Sequence, residues 1–518
     1  MKTDVLVIGS GIAGLSFAIK VATARPDLSL LVITKNSGEV CNTAHAQGGI
    51  AVVIDRLRDS FEQHIEDTLK AGQRLNDPDV VKMVISQAPQ RLFELIDWGA
   101  SFDSNEVGEF DLGLEGGHSH KRIVHHKDLT GKEMVDTLIK KAGSLSNIRF
   151  EDHLFVTDLS IEKSNNKCRG VIVLDNRTKE EFKISSRITF LATGGSGRIF
   201  QNTTNPSVAT GDGIAMASRA GAIITNMHFI QFHPTALYQK SLQALFLISE
   251  AVRGFGAWIV NAKGERFLYK YDERGELATR DIVSEAIVKE LKISGEESAF
   301  IDCRHLDPEE FAAHFPTITK HCASLGIDFR KDLIPIVPAA HYQTGGIQVN
   351  QWAETSIHHL YASGECAHTG LHGRNRLASN SLLEALVYSH QASQKVLEKI
   401  DDFTIEDSDG FEMRRSRAYG ADSQTLQRII KELNNIMSFD LLYASNINDK
   451  EKALDHIKAL QAKLNMYPSA GNQQHLELSN MIQTARVIVE HTLKFRIDSE
   501  NGYIPNKAFR RKKSLELV

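Results

Sequence analysis

The sequence has few cysteines, and none stands in the close pairs that bind metals. Five occur among 518 residues, with no two separated by only two positions. Closely spaced cysteines are typical of zinc and iron–sulfur sites, and disulfides need an oxidising environment. We therefore expect no disulfide, zinc or iron–sulfur site, and a reducing compartment, the cytoplasm. The cysteines are Cys41, Cys168, Cys303, Cys322 and Cys366.

Long apolar runs and excess positive charge are also lacking. No stretch reaches the roughly 18 apolar residues that a membrane-spanning helix needs. Sixty Lys and Arg against 65 Asp and Glu leave a net charge of -5. Nucleic acids and anionic membranes select basic surfaces, so we expect neither as a partner. Residues 1–15 carry Asp4 before their apolar run and glycines within it, which does not fit a signal peptide.

Length and composition indicate a globular protein of several domains. The chain is 42% hydrophobic and 24% charged, which suits several buried cores. At roughly 150 residues per domain, two to four units are expected. A single small binding module is excluded, and any anionic ligand must be met by a local cluster of positive charge.

A glycine-rich turn near the N-terminus is the first local signal. The apolar run 4–8 predicts a strand before it, and residues 15–24 predict a helix after it. In such a unit the glycines permit the tight turn, the approach of a pyrophosphate and the packing of helix on strand. We predict a dinucleotide site; the alternative is a turn that binds nothing. The turn is Gly9, Ser10, Gly11, Ile12, Ala13 and Gly14.

The acidic residue that usually holds the ribose of NAD is missing. It is expected about 20 positions after the turn, but Lys35 and Asn36 follow the apolar run 28–33. Ordinary NAD recognition is therefore not expected. Three other glycine pairs lack a third glycine, which argues against a second nucleotide site. These pairs are Gly195/Gly197, Gly211/Gly213 and Gly254/Gly256.

Apolar strands at 188–192 and 360–365 extend the predicted sheet. A sheet with strands from near residues 5, 190 and 360 requires a domain inserted between the last two. Besides the first turn, five motifs follow in order: Ala46-Gln47-Gly48-Gly49-Ile50, Ala192-Thr193-Gly194-Gly195, Thr210-Gly211-Asp212-Gly213, Gln231-Phe232-His233-Pro234-Thr235 and Ala362-Ser363-Gly364-Glu365. Over residues 4 to about 400, their order and spacing resemble the flavoprotein of the succinate dehydrogenase/fumarate reductase family.

The resemblance implies an α/β fold with FAD as its cofactor. The expected architecture is a discontinuous Rossmann-like FAD-binding domain (1–227 and 343–410), an inserted α+β capping domain (228–342) and a C-terminal three-helix bundle (411–518). Residues 9–14 would contact the pyrophosphate, residues 42–49 would surround the isoalloxazine, and Lys35 would replace the missing acid. Glu365 ends a strand where a carboxylate can take ribose hydroxyls, the alternative being a solvated loop acid. The other implied contacts are Asn42, Thr43, Ala44, His45, Ala46, Gln47, Gly48, Gly49, Asp212, Ser381 and Leu382.

Arginines and histidines gather in and just after the inserted segment, and such side chains suit carboxylates. By resemblance, Arg376 and His341 hold one carboxylate of a four-carbon dicarboxylate, and His233 with Ser249 holds the other. The alternative for each arginine is a surface ion pair. The further implied substrate contacts are Gln231 and Ser379.

Three residues match the family's proton-handling set. Arg280 matches its proton-transferring arginine, and Glu250 and Arg253 match the relay to solvent. Because the pKa of arginine is above about 12 in water, Arg280 could act as an acid only inside a closed, dry site.

The stretch Glu115-Gly116-Gly117-His118-Ser119-His120-Lys121-Arg122-Ile123 resembles the branch of the family that oxidises L-aspartate. An amino-dicarboxylate needs a counter-charge for its ammonium group, and Glu115 supplies one. The alternative is a loop glutamate beside flexible glycines. The histidines here, with His125 and His126, raise the question of zinc, but they lack a cysteine and a second i, i+4 pair. We expect no metal.

Three apolar stripes at helical spacing predict the C-terminal bundle. Packing is preferred over partner binding for these stripes, and a solvated end over anion docking for the basic residues 510–513. The stripes are Leu426, Ile429, Ile430, Leu433, Ile436 and Met437; Leu454, Ile457, Leu460 and Leu464; and Leu478, Met481, Ile482, Ala485 and Ile488.

These features predict an FAD-dependent enzyme that oxidises L-aspartate to iminoaspartate, with hydride passing from Cα to flavin N5. The implied acceptor is oxygen, giving hydrogen peroxide, or fumarate. The implied pathway is NAD biosynthesis through quinolinate, with a transient contact to quinolinate synthase, and the chain is expected to be a monomer. The alternatives are a soluble fumarate reductase or succinate dehydrogenase-like flavoprotein, and a catalytically silent flavin protein or subunit of a larger complex.

The flavin is predicted to be released by acid. Members of membrane complexes join FAD to a histidine five residues before the glutamine of their Ala-Gln-Gly-Gly motif, and that position is Asn42 here. His45 lies only two residues before Gln47 and does not replace it. Trichloroacetic acid should therefore leave all flavin absorbance in the supernatant. A yellow precipitate would contradict this prediction.

Overall fold

The structure is a computed structural model that describes residues 1–239, 244–405, 414–415, 420–438, 441–442, 446–469 and 471–500. The basic residues 510–513 lie outside this part of the chain. The strands are β1 (Lys2–Ile8), β2 (Leu30–Ile33), β3 (Ile50–Ala51), β4 (Leu112–Gly113), β5 (Ile123–Val124), β6 (Ile148–Glu151), β7 (Leu154–Glu162), β8 (Lys167–Asp175), β9 (Glu180–Leu191), β10 (Ile224–Thr225), β11 (Ile230–Leu237), β12 (Trp258–Val260), β13 (Ala299–Asp302), β14 (Ile334–Gln343), β15 (Gly346–Gln348), β16 (Leu360–Ala362), β17 (Ala367–His368) and β18 (Arg414–Arg415).

The helices alternate with these strands through most of the chain and follow one another at its C-terminal end. They are α1 (Ile12–Ala24), α2 (Phe61–Ala71), α3 (Pro78–Asp97), α4 (Thr130–Gly143), α5 (Asp212–Arg219), α6 (Glu250–Gly254), α7 (Arg280–Ser294), α8 (Pro308–His314), α9 (Pro316–Ser324), α10 (Asn380–Lys399), α11 (Ser423–Ile436), α12 (Ile447–Asn465) and α13 (Gln473–Glu500).

The main sheet joins strands that are far apart in the sequence. Its parallel part runs β6-β2-β1-β9-β16, with Val5 beside Ile188 and Thr189 beside Leu360. The strands predicted near residues 5, 190 and 360 are therefore confirmed as neighbours. The long strand β9 also pairs antiparallel with β8, which pairs with β7. The carboxyl ends of β1, β9 and β16 meet at one edge, where ligands bind in sheets of this kind.

The turn between β1 and α1 depends on glycine. Gly9 has a φ of +108°, and a Cβ there would lie 2.2 Å from the carbonyl oxygen of Ala192. A Cβ on Gly14 would lie 2.1 Å from the carbonyl oxygen of Gly9. Phe17 of α1 stacks on Phe190 of β9 at 3.9 Å between ring centroids. Close packing of helix on strand thus fixes the turn at the sheet edge.

A second, antiparallel sheet carries much of the substrate chemistry. Its order is β11-β14-β13-β12, and helix α7 packs on β11 through the Ser284 hydroxyl, which donates to the carbonyl of Phe232. Side chains of this layer form a hydrophobic core of their own, which includes Ile259, Phe267 and Phe311. Strands β11 and β14 bring His233 and His341 side by side.

The predicted C-terminal helices are confirmed as α11, α12 and α13. Their apolar faces share one core with residues of β7, β8 and α5, among them Val156, Val173 and Met216. Ile430, Ile436 and Leu454 are partly buried at its margin. In the ranges that the structure describes, no helix is long and apolar enough to cross a membrane.

Candidate active site

One cavity of about 630 Å³ runs along the edge of the main sheet and ends beneath the second sheet. One end is lined by Lys35, Asp212 and Met216. The middle follows residues 9–13 and 45–49, and the far end holds a cluster of arginine, histidine and glutamate side chains. An elongated cleft of this kind, with a glycine turn at the N-terminus of α1, suits a dinucleotide whose reactive ring points toward the charged end.

Four polar side-chain atoms in the middle of the cavity are buried and make no hydrogen bond to the part of the chain that the structure describes. Within the described residues, Gln47 Oε1, Asn42 Oδ1, Thr193 Oγ1 and Ser363 Oγ are buried without a hydrogen-bond partner. Such atoms are rare unless water or a ligand satisfies them. The residues present therefore fit FAD. Two predicted contacts lie off the wall: Ala44 is not among the lining residues, and Gly14 acts by packing α1 against the turn.

Lys35 lines the cavity and is held there by an ionic cluster. Its ammonium group donates to Thr210 Oγ1 at 2.6 Å and to Asp212 Oδ2 at 2.7 Å, and pairs with Glu477 at 2.7 Å. Burial disfavours the charge, yet the two carboxylates outweigh it and raise the pKa of Lys35. Lys35 thus reaches the cavity as part of a fixed ionic cluster.

Glu365 lies on the cavity wall as predicted, but its oxygens already accept two hydrogen bonds. Asn42 Nδ2 donates to it at 2.7 Å and the backbone N–H of Gln343 at 2.9 Å. Burial raises the pKa of this carboxyl to about 7. Sequence patterns indicated neither partner, since Asn42 lies 323 positions away.

The far end of the cavity gathers the side chains predicted to hold carboxylates. His233 and His341 lie 5.0 Å apart between ring centroids, and burial together with Arg280 lowers the pKa of both well below the ordinary range. Arg376 lies over the ring of Tyr342 at 4.5 Å, and burial with Arg280 lowers its pKa to about 10. Neutral imidazoles beside a poorly compensated guanidinium form a site for an anion.

Three residues that were not predicted from the sequence hold these groups in place. Thr204 Oγ1 lies 2.8 Å from His341 Nδ1, and Thr235 bonds His233 Nδ1 through its backbone N–H at 3.2 Å. His233 Nε2 is buried without a partner in the described part of the chain. Tyr342, under Arg376, is the third. Thr235 lies within the motif that identified His233, whereas no pattern pointed to Thr204.

Arg280, Glu250 and Arg253 form a buried row behind the histidines. Arg280 Nε donates to Glu250 Oε2 at 2.5 Å, and Arg253 Nη2 donates to Glu250 Oε1 at 2.5 Å. Burial disfavours the carboxylate, but the two guanidinium groups outweigh it and lower the pKa of Glu250. Arg253 continues the row to the backbone carbonyls of Glu276 and Ala278. The predicted trio is thus in contact, with only Arg280 and Glu250 on the cavity wall.

Gln231, assigned by sequence to substrate contact, does not line the cavity. Its carbonyl oxygen accepts from Arg280 Nη1 at 2.9 Å, while its amide donates to Asn375 Oδ1 at 2.8 Å and to the Arg376 carbonyl at 2.7 Å. Gln231 thus connects the Arg280 guanidinium to the backbone of Arg376.

Glu115 lies in the cavity wall, close enough to Arg280 and Arg376 for their charges to act on its carboxylate. Ser379 Oγ donates to its carboxylate at 2.5 Å and accepts from the Gly49 N–H at 3.2 Å. Burial and the charge of Glu250 raise the pKa of Glu115. A Cβ on Gly48 would lie 2.6 Å from Glu115 Oε1, so this glycine leaves room for the carboxylate. Ser379, predicted as a substrate contact, therefore also positions Glu115.

The remaining predicted contacts are on the wall as well. Ser249 caps α6, accepting from the Ala251 N–H at 3.3 Å, which leaves its hydroxyl proton free to donate. Ser381 accepts from Arg376 Nη1 at 3.2 Å. Leu382 supplies apolar surface beside the glycine turn.

The loop that carries Glu115 is anchored by a buried arginine. Arg122 donates two hydrogen bonds of 2.8 Å to Asp59 and one of 2.6 Å to Asp67. His118 joins this cluster to the Ala378 carbonyl, since its Nδ1 lies 3.1 Å from Arg122 and its Nε2 3.0 Å from the carbonyl oxygen. His120, His125 and His126 contact Gln63, Asp103 and the Ser101 carbonyl. In the residues described, no group of three or more His, Cys, Asp or Glu is arranged to hold a metal.

Comparison with known families and proteins shows what this chain is similar to. A family model described as an FAD binding domain matches residues 4–382. L-aspartate oxidase 1 of Ralstonia nicotianae is 41% identical over 503 residues, which cover 95% of this chain and 93% of the relative. The chloroplastic L-aspartate oxidase 2-b of Nicotiana tabacum is 46% identical over 407 residues, or 77% of this chain. That match spans 62% of the tobacco protein, so the chain covers less than two thirds of that relative.

Solved structures show a similar fold. The E. coli quinol fumarate reductase FrdA superposes with a TM-score of 0.85 at 28% identity, covering 95% of this chain and 88% of the other. Sdh1 of Mycobacterium smegmatis gives a TM-score of 0.80 at 29% identity, covering 95% and 87%. The likeness to both extends over nearly the whole chain.

Arg122 is predicted to be a major stabilising residue. Replacing one partner of a buried ion pair leaves the other charge uncompensated, which costs about 3 to 5 kcal/mol. Arg122→Met should therefore lower the free energy of unfolding by about that amount in urea denaturation. Arg58→Met, which removes an exposed arginine 3.7 Å from Asp55, is the matched control and should change it little. Equal stability of the two variants would contradict the role given to Arg122.

Proposed function

The chain belongs to the L-aspartate oxidases of the succinate dehydrogenase/fumarate reductase flavoprotein family, and we propose that it oxidises L-aspartate to iminoaspartate with non-covalently bound FAD. The observation that carries this proposal is the buried carboxylate of Glu115 in the wall of the cavity that Arg280, Arg376, His233 and His341 also line. A dicarboxylate alone needs only the cations. The added carboxylate suits a substrate that also bears an ammonium group.

The two ends of the substrate would be held by different groups. Arg376 and His341 would donate to one carboxylate, and His233 with Ser249 to the other. The unpartnered His233 Nε2 and the hydroxyl proton of Ser249 supply donors, and a carboxylate would offset the buried charge of Arg376. Ion pairs in such dry sites are stronger than in water. Binding of a dicarboxylate would thus give hydrogen-bond partners to His233 and Ser249 and a counter-charge to Arg376.

Glu115 would orient the amino group. Ser379 holds its carboxylate, and the Arg122 cluster holds the loop on which it stands. An ammonium group beside Glu115 would compensate the charge that burial and Glu250 disfavour. Cα would then lie between Glu115 and the groups that hold the two carboxylates.

Bound FAD supplies the hydride acceptor, and the chain supplies the proton chemistry. The bound ammonium group must first give up a proton, because only the neutral amine has the lone pair that forms the new C=N bond. Loss of a hydride from Cα then gives an iminium, which gives up a second proton to become the imine. Arg280 is the group placed for proton handling, because Glu250 holds its Nε and Gln231 its Nη1. The row from Arg280 through Glu250 to Arg253 is the proposed route away from the closed site.

We also propose the wider role implied by the family. Oxygen or fumarate would reoxidise the reduced cofactor, and iminoaspartate would pass to quinolinate synthase, as a transient partner, for NAD biosynthesis. The proposed units are 1–227 with 343–410, 228–342 and 411–518. The second sheet and α6 to α9 lie within 228–342 except for Gln343, the last residue of β14, which supports that boundary. The five free cysteines support a reducing compartment, the cytoplasm, and a monomer is proposed.

A soluble fumarate reductase is the second candidate. It is favoured by the likeness to fumarate reductase structures at 28% identity and by the cationic contacts, which any four-carbon dicarboxylate would share. Glu115 distinguishes the two candidates, because fumarate and succinate carry no ammonium group for it to bind.

Anaerobic flavin reduction tests the proposed function directly. L-aspartate added to the FAD-loaded protein without oxygen should bleach the flavin absorbance near its visible maximum, and succinate should leave it unchanged. Bleaching by succinate alone would favour the second candidate. No bleaching by either compound would count against both.

Glu115→Gln is predicted to weaken L-aspartate binding selectively. A hydrogen bond to a charged group contributes about 1.5 to 3 kcal/mol, so KM for L-aspartate should rise by roughly tenfold or more. The Kd for succinate should hardly change. Glu109→Gln, on an exposed loop nearby, is the control and should behave like the wild type. Wild-type KM in Glu115→Gln would rule out the role of this residue.

The pH profile gives a second readout for Glu115. Its pKa is raised by burial and by Glu250, and only the ionised form compensates an ammonium group. In the wild type, kcat/KM for L-aspartate should therefore reach its full value above the raised pKa of Glu115 and fall as the pH drops through that pKa. The profile of Glu115→Gln should lack that acidic limb.

A further inference from the structure

Helix α13 carries a polar stripe in addition to the apolar face that packs in the core. Gln473, Glu477, Asn480 and Thr484 are spaced by four, three and four residues, so they share one side of the helix. The apolar residues Leu478, Met481, Ile482 and Ala485 lie on the other side and are buried. A surface helix would expose its polar side to solvent, whereas this one turns it toward another part of the protein.

Each residue of the polar stripe contacts the rim of the dinucleotide cavity or a residue next to it. Glu477 pairs with Lys35 at 2.7 Å, and Asn480 Nδ2 donates to Asp212 Oδ1 at 2.8 Å. Thr484 Oγ1 donates to the Gly211 carbonyl at 3.4 Å. Gln473 accepts from Asn176, whose amide also bonds the Lys35 carbonyl. Two of these partners, Lys35 and Asp212, line the cavity itself.

The contacts are oriented as well as close. Arg219 Nη1 donates to Asn480 Oδ1 at 2.8 Å, which turns the amide nitrogen of Asn480 toward Asp212. Lys35 lies between the carboxylates of Asp212 and Glu477, and these keep its buried ammonium group charged. The flexible stem of Lys35 is thereby held in one position.

We propose that the polar stripe of α13 is part of the FAD site, with Glu477 and Asn480 as positioning residues that fix Lys35 and Asp212 on the cavity wall. The FAD binding domain model ends at residue 382, so α13 lies wholly outside the segment it matches. The C-terminal bundle would then contribute to cofactor affinity and not only to packing. Glu477 also brings a carboxylate to the end of β2, where the usual ribose-binding acid is missing.

The effect of Glu477 should pass through Lys35. Glu477→Gln keeps the size of the side chain but removes one of the two charges that hold the ammonium group. FAD released on dilution of the loaded protein, followed by flavin fluorescence, should show a Kd raised about tenfold. Lys35→Gln should raise it by a similar factor, and the double variant should be no weaker than Lys35→Gln alone, because the two changes act on one interaction.

Two further variants separate positioning from general stability. Asn480→Ala should also weaken FAD binding, since it frees Asp212. Glu490→Gln, on the same helix but paired with Arg486 at the surface, should leave the Kd unchanged. Thermal unfolding in saturating FAD should show that all variants are folded.

The proposal is overturned by either of two results. The first is an unchanged Kd in both Glu477→Gln and Asn480→Ala. The second is a double variant of Lys35 and Glu477 in which the increases in Kd of the two single variants multiply. That result would mean that the loss of Glu477 weakens FAD binding independently of Lys35, through the packing of the bundle. Neither result depends on L-aspartate turnover, so failure here is distinguishable from failure of the proposed activity.

Discussion

The buried carboxylate of Glu250 allows two arginines to lie together at the closed end of the cavity. Arg253 and Arg280 each donate to it at 2.5 Å, and both are almost fully buried. Two guanidinium groups so placed would repel each other strongly in a medium of low dielectric without a shared anion. The arrangement extends through Gln231 to the backbone of Arg376. The positions of Arg253 and Arg280 therefore depend on one acid that meets no substrate in the proposed mechanism.

The charge of the second buried acid, Glu115, also depends on neighbouring side chains. Its burial disfavours the charge that the proposed substrate needs, and Ser379 and the nearby arginines offset only part of that effect. Its loop is fixed from behind by Arg122, which is fully buried between Asp59 and Asp67. Selectivity for an amino-dicarboxylate thus requires a rigid support as well as a carboxylate.

The sequence allowed prediction of those parts of the site that lie in local motifs. The glycine turn, the neighbouring strands near residues 5, 190 and 360, and the apolar faces of the C-terminal helices follow from spacing alone and are present in the structure. Contacts between distant side chains could not be predicted, because no local pattern encodes them: Asn42 with Glu365 and Lys35 with Glu477 are examples. Gln231 and His233 stand in one motif, and only His233 lines the cavity. The spacing of a motif does not indicate which of its residues reaches the cavity surface.

The strand order of the main sheet also bears on how the chain folds during synthesis. Strand β1 can pair early with β2, but β9 pairs with β1 only after about 180 residues, and β16 pairs with β9 only after about 360. At roughly 5 to 20 residues per second, a ribosome needs about 20 to 70 seconds to make that much chain. Until then, β1 lacks β9 as a neighbour or β9 lacks β16, and the wall of the nucleotide cleft at the carboxyl ends of these strands is incomplete. Cofactor capture is therefore a late event, and the nascent N-terminal half must stay free of aggregation while its partner strands are made.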